Sequence, residues 1–120
     1  MHEGKMIDWT RIDELQSEIG ADGLAEVVEL FLDEVEGTVM RLKAQPDPAT
    51  YEDDLHFLKG GAWNLGFADF GAICQDGERK AATGRAFEID ITQVLNSYFA
   101  SKEVFLSGLA ARGQADTSAA

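Results

Sequence analysis

Apolar residues recur along this chain at intervals of three and four, without the strict alternation of a strand, and the intervals divide it into helices. Trp9, Ile12, Leu15 and Ile19 mark a short first helix behind a capping Asp8, closed by Gly20. A longer one, opened by Asp22, carries Leu24, Val27, Val28, Phe31, Val35, Val39 and Leu42, with Glu26, Glu29, Asp33 and Glu36 on its other face. Pro46 and Pro48 stop that pattern, and Asp47 before Pro48 has the form of an N-cap followed by a first-turn proline. Tyr51, Leu55, Leu58, Ala62 and Leu65 then form one stripe of a helix that runs to Asn64 or Leu65 and turns at Gly66. The next stripe is Phe70, Ile73, Cys74 and Ala81; Gly77 stands where a large apolar residue would pack, and Gly84 ends the helix. A last helix from near Glu88 carries Ile91, Val94, Leu95, Tyr98, Phe105 and Leu109.

These elements predict an all-α fold, an antiparallel four-helix bundle (up-down-up-down) with a short additional N-terminal helix covering one end. The expected boundaries are a flexible N-terminus over 1–6, the bundle over 7–112 and a small, polar, flexible tail over 113–120. With 120 residues, 45% of them hydrophobic, the chain has material for one core and no second domain. No apolar run approaches the roughly eighteen residues that span a membrane, and the stretch Met1 to Met6 lacks the apolar core of a secretion signal. Cytoplasmic residence is the expectation. It fits a single cysteine, Cys74, at an apolar position that reads as core.

A formal charge of -12 argues against nucleic acid, because binding phosphate backbones needs clustered Lys and Arg. His2 at the terminus and His56, with one buried cysteine, cannot assemble a soft-metal cluster. Asp53 and Asp54 diverge around their helix and make no catalytic pair. Neither a phosphate-binding Gly-x-x-x-x-Gly-Lys-Ser/Thr loop nor a Gly-x-Gly-x-x-Gly motif occurs. The chain is also too short to add an ATP-binding kinase domain, so self-phosphorylation from ATP is not expected.

The chemistry that remains centres on His56-Phe57-Leu58-Lys59-Gly60. At roughly 100° per residue, Lys59 and Gly60 lie one turn beyond His56 on the same face, and Trp63 two turns beyond. The apolar stripe lies nearly opposite, so His56 points outward. Imidazole titrates near neutrality, and its neutral form has a ring nitrogen able to attack phosphorus. A transferred phosphoryl group would bring about two negative charges, which the Lys59 ammonium could offset. Gly60 leaves the nucleophile uncrowded, although glycine inside a helix costs about 1 kcal/mol relative to alanine, and Gly61 repeats that cost. Close approach of something must outweigh helix propensity here.

His56 to Gly60, with Leu55, Ala62 and the later Leu65-Gly66, resembles the signature of histidine-containing phosphotransfer (HPt) domains. The resemblance covers the whole chain in length and helix layout, its specific part confined to about Leu55 to Cys74. It implies a four-helix bundle with His56 near the middle of one helix. It also implies a phosphocarrier, not an enzyme, whose histidine takes a phosphoryl group from a receiver-domain aspartate and returns it to another, usually through Nε2. The implied partners are response-regulator receiver domains and a hybrid sensor histidine kinase, with magnesium supplied by the receiver and no cofactor bound by this chain; domains of this size commonly act as monomers. A polar residue of the following helix often flanks the histidine in this family. Here the candidates are Glu78, Arg79 and Ala82: a carboxylate at Glu78 would repel phosphate yet could orient a neutral imidazole, and Arg79 could compensate. Partner docking is assigned to Gly60, Trp63, Phe31, Val35, Glu78 and Arg79, with Trp63 divided between docking and packing. The alternative is a receiver-binding or helical interaction module that carries no phosphate.

Overall fold

A computed structural model describes residues 6–119, with side chains through Arg112. Among the described residues it is all-helical and without strands: α1 (Trp9–Ala44), α2 (Tyr51–Asn64), α3 (Ala68–Ala82) and α4 (Ile91–Ala119), with 3-10 turns at Pro48–Thr50 and Ala86–Glu88. His2 and most of the N-terminal segment 1–6 lie outside the described residues. The backbone of α4 is helical to Ala119, through the stretch predicted as a tail. No described helix is long and apolar enough to cross a membrane.

The caps act locally as the sequence suggests. Asp8 accepts the Thr10 backbone N–H at 3.1 Å, and Asp47 accepts that of Ala49 at 3.0 Å ahead of Pro48. Inside α1, Gly20 leaves helical geometry at φ 78° and ψ 170°, a region open essentially to glycine alone. The helix resumes directly after it, without a capping bond from Asp22.

The turn from α2 to α3 is closed at both ends. Gly66, at φ 76°, donates its N–H to Trp63 O, and Phe67 donates to Ala62 O at 2.8 Å, the paired bonds of a Schellman turn. Residues Met6 to Asp8 strap this turn: Asp8 N–H donates to Gly66 O at 2.7 Å, and Ala68 N–H to Met6 O at 2.9 Å. A Cβ at Gly66 would stand 2.6 Å from Asp8 O, so the strap requires glycine there as much as the turn does. Arg11 adds a bond from Nε to Asn64 O at 2.9 Å, a cation on the last carbonyls of α2.

The core is a run of aromatic contacts with aliphatic filling. Phe67 meets Phe31 and Phe105 with ring centroids 5.1 and 5.0 Å apart, and Phe70 meets Tyr98 at 5.4 Å. Trp9 stacks on Phe105, which fixes the segment before Gly20 to α4. The missing side chain at Gly77 is also explained. A Cβ there would come within 2.7 Å of Leu55 Cδ1, so Leu55 of α2 fills the place that α3 leaves empty. Between α1 and α4, Glu36 Oε1 accepts from the Tyr98 hydroxyl at 2.9 Å and from Lys102 Nζ at 2.6 Å.

Candidate functional site

Helix α2 presents two unlike faces. Tyr51, Leu55, Leu58, Ala62 and Leu65 are buried, while the His56 side chain on the far side is 69% exposed. The first turn carries Glu52, Asp53 and Asp54, charges that suit a helix N-terminus. Asp54 is held by Arg41 Nη2 at 2.6 Å and by the Thr50 hydroxyl at 2.8 Å, so the two aspartates do separate things.

Helix α3 supplies the group that turns an exposed histidine into a defined one. Glu78 reaches across with Oε2 2.8 Å from His56 Nδ1 and Oε1 2.7 Å from Lys59 Nζ. The Lys59 ammonium holds the Glu78 carboxyl below its ordinary value; partial burial works against it, and the His56 contact adds to the lowering. Glu78 is therefore ionised at neutral pH and can only accept. The neutral imidazole then carries its hydrogen on Nδ1, which leaves the Nε2 lone pair directed outward.

Lys59 is engaged on two sides. Besides Glu78 it has the Trp63 ring, whose centroid lies 5.8 Å from Nζ. Trp63 in turn lies against α3 at Gly71, where any Cβ would collide with the indole. Trp63 thus both packs and keeps an exposed surface, 44% of it. Arg79 does not compensate for Glu78. Its guanidinium points to Asp76, 3.8 Å away, and stays largely exposed. A shallow depression bounded by Lys59, Gln75, Glu78, Arg79 and Ala82 borders the histidine on this side.

The two adjacent glycines have different reasons. A Cβ at Gly60 would meet nothing within 4 Å, whereas one at Gly61 would stand 3.2 Å from both Phe31 Cε1 and Val35 Cγ2. Gly61 is where α1 and α2 approach each other. This corrects the assignment of Phe31 and Val35 to a docking surface: both are buried, Val35 almost completely, because they form the seat for Gly61. The exposed apolar side chain beside His56 is instead Phe57, one residue along α2; Leu30 and Val27 on α1 are exposed as well. Phe57 and Leu30 stand off the apolar stripes, a signal the sequence does hold. Val27 sits on a stripe and is exposed all the same.

Structure thus brings together His56, Lys59, Glu78, Trp63 and Gly60, leaves Arg79 at the edge of the adjoining depression and turned to Asp76, and separates Phe31 and Val35 from them. Among the described residues no group of three or more His, Cys, Asp or Glu side chains is arranged to hold a metal ion. No protein-family model matches this sequence, and no curated protein or solved structure matches it.

Proposed function

We propose that this chain is a phosphocarrier of a two-component phosphorelay, in which His56 Nε2 takes a phosphoryl group from the aspartyl phosphate of a receiver domain and passes it to the aspartate of another. The observation that carries this reading is the 2.8 Å contact from His56 Nδ1 to Glu78 beneath an outward Nε2. As Nε2 attacks, the N–P bond forms and the acyl P–O bond breaks, releasing the aspartate carboxylate. The ring, still protonated on Nδ1, gains positive charge. Glu78 offsets that charge, as a carboxylate does for an imidazolium in a nucleophile–base dyad. Keeping the proton on Nδ1 also keeps the ring a good leaving group for the return step. Lys59, one turn along, can meet the phosphoryl oxygens as they arrive.

Little else is asked of the carrier. An acyl phosphate and a phosphohistidine are both high-energy species, so exchange between them needs mainly alignment and charge compensation. The metal for the transfer belongs to the receiver's acidic cluster. On this reading the fold is an up-down-up-down bundle with a short extra helix ahead of Gly20, whose non-helical geometry supports the division. The protein works as a cytoplasmic monomer between a hybrid kinase and a response regulator.

Incubation with a phosphorylated receiver tests the reading. Acid-labile, alkali-stable label on the wild type and none on His56→Gln is the expected result. Binding without label would point to a receiver-binding module, and absence of both would end the proposal.

A further inference from the structure

Among the described residues, the charges closest to His56 sit on α2 and α3. Helix α1 meets α2 at Asp54 and Gly61, positions about 140° to 160° around the helix from His56, and its Arg41 is held by Asp54. On the His56 side, α2 supplies Lys59 one turn ahead and the exposed Glu52 and Asp53 one turn back. From α3 comes Glu78, while Arg79 and Lys80 are turned to Asp76. One cation, Lys59, therefore stands with three carboxylates within a turn or a contact of the imidazole, and Glu78 holds it at 2.7 Å.

A phosphoryl group on Nε2 would change this balance. It brings about two negative charges and competes with Glu78 for Lys59. Glu78 Oε1 is buried and accepts no hydrogen bond apart from the Lys59 contact, so departure of the ammonium leaves the carboxylate with its hold on Nδ1 alone. The ring then lies between the phosphoryl oxygens on one nitrogen and an ionised carboxylate, 2.8 Å away, on the other. Both favour the protonated ring.

We infer that Glu78 makes phospho-His56 self-discharging: by holding the proton on Nδ1, it lets water take the phosphoryl group at neutral pH. This rests on the phosphocarrier reading and adds to it a limit on how long the carrier keeps its load. In the step, a water oxygen bonds to phosphorus as the Nε2–P bond breaks. The bonding pair returns to Nε2, the ring leaves neutral with its proton still on Nδ1, and both hydrogens of the water end on dihydrogen phosphate. Without that proton the leaving group would be an imidazolate anion, which departs far less readily. Water reaches the site freely, the His56 side chain being 69% exposed. A phosphoryl group that no receiver collects is then lost to solvent, and the carrier returns to its resting state unaided.

The full chain is labelled on His56 with phosphoramidate, which needs no receiver, the reagent is removed, and loss of label is followed between about pH 6 and pH 8. Wild-type decay should vary by less than about threefold over that interval. In Glu78→Gln, whose amide oxygen keeps the contact without the charge, decay should slow by about tenfold or more from the lower pH to the upper, and the wild type unfolded in urea should follow the variant. Nitrogen-15 shifts of the phosphorylated ring should show the Nδ1 proton retained at the upper pH in the folded wild type only. A wild-type decay that slows with pH as steeply as the variant's overturns the inference and leaves the relay standing. A parallel incubation in which phosphoramidate labels His56 but no phosphorylated receiver does overturns the relay reading on which the inference rests.

Discussion

Gly60 offers a substitution whose effects on stability and on transfer have opposite signs. It is an exposed residue inside α2, and an added Cβ meets nothing within 4 Å. Gly60→Ala should therefore recover the helix-propensity difference of about 1 kcal/mol and lose no contact. Thermal unfolding should rise by a few degrees. Gly61→Ala gains the same propensity but drives its Cβ to 3.2 Å from Phe31 and Val35, and overpacking costs about 1–3 kcal/mol. It should come out neutral to about 2 kcal/mol less stable. Gly60→Leu keeps nearly all of the propensity gain and sets a bulky side chain one turn from His56. Transfer from a receiver should fall about tenfold or more, equivalent to about 1.4 kcal/mol in the barrier. Labelling by a small donor such as phosphoramidate should be unchanged. Denaturant melts and receiver-to-carrier transfer rates measure both halves. Loss of stability in Gly60→Ala, or normal receiver transfer in a folded Gly60→Leu, would refute the argument that this position is kept clear for a partner.

Further outcomes follow from the same geometry. Glu78→Ala should let the ring populate both neutral tautomers, visible in its 15N shifts, and slow transfer by about 10- to 100-fold; Glu78→Gln, whose amide oxygen still accepts from Nδ1, should lose less. Glu78 and Glu36 both have carboxyls held below their ordinary value of 4.5, Glu36 chiefly by Lys102 against the opposing effect of burial. Their stabilisation is therefore complete above about pH 4.5 and lost as pH falls through their folded values, so Glu36→Gln with Glu78→Gln should flatten the acid limb of a stability profile, and an unaltered limb would contradict this. Gly71→Ala should displace Trp63, shifting its fluorescence and shortening phosphohistidine lifetime through Lys59. Burial, with a smaller effect from Glu78, pushes the Cys74 thiol up to about 12; a thiol reagent should react only after denaturant unfolds the chain, and prompt native labelling would show the core to be more open than described.

Helix positions and the outward direction of His56 were legible because both depend on periodicity, which survives in one dimension. The buried set on α2 is the stripe read from spacing, and Asp8, Asp47, Gly66 and Gly84 mark ends or turns where their conformational preferences place them. What was not legible depends on which helix lies opposite which. Phe31 and Val35 are apolar whether they face solvent or α2, and only the approach at Gly61 decides it. Glu78 and Arg79 are neighbours in sequence, 100° apart around α3, and nothing in their order says which one reaches His56. Gly77 reads as a gap until Leu55 is seen filling it. Asp90, whose Oδ1 accepts the Gln93 N–H at 3.1 Å, sets the start of α4 at Ile91, the first apolar position of its stripe and three residues after the expected start near Glu88.

The strap formed by Met6 to Asp8 bears on where this folding unit begins. Because the end of the His56 helix is tied down by residues that precede it by more than fifty positions in sequence, the segment ahead of Gly20 is no detachable overhang. A shortened chain starting at Ala21 would keep every residue of the proposed transfer chemistry. It would nonetheless leave Gly66 O and Ala68 N–H unmatched, and Phe105 without the indole that covers it. The minimal active piece should thus extend back at least to Met6.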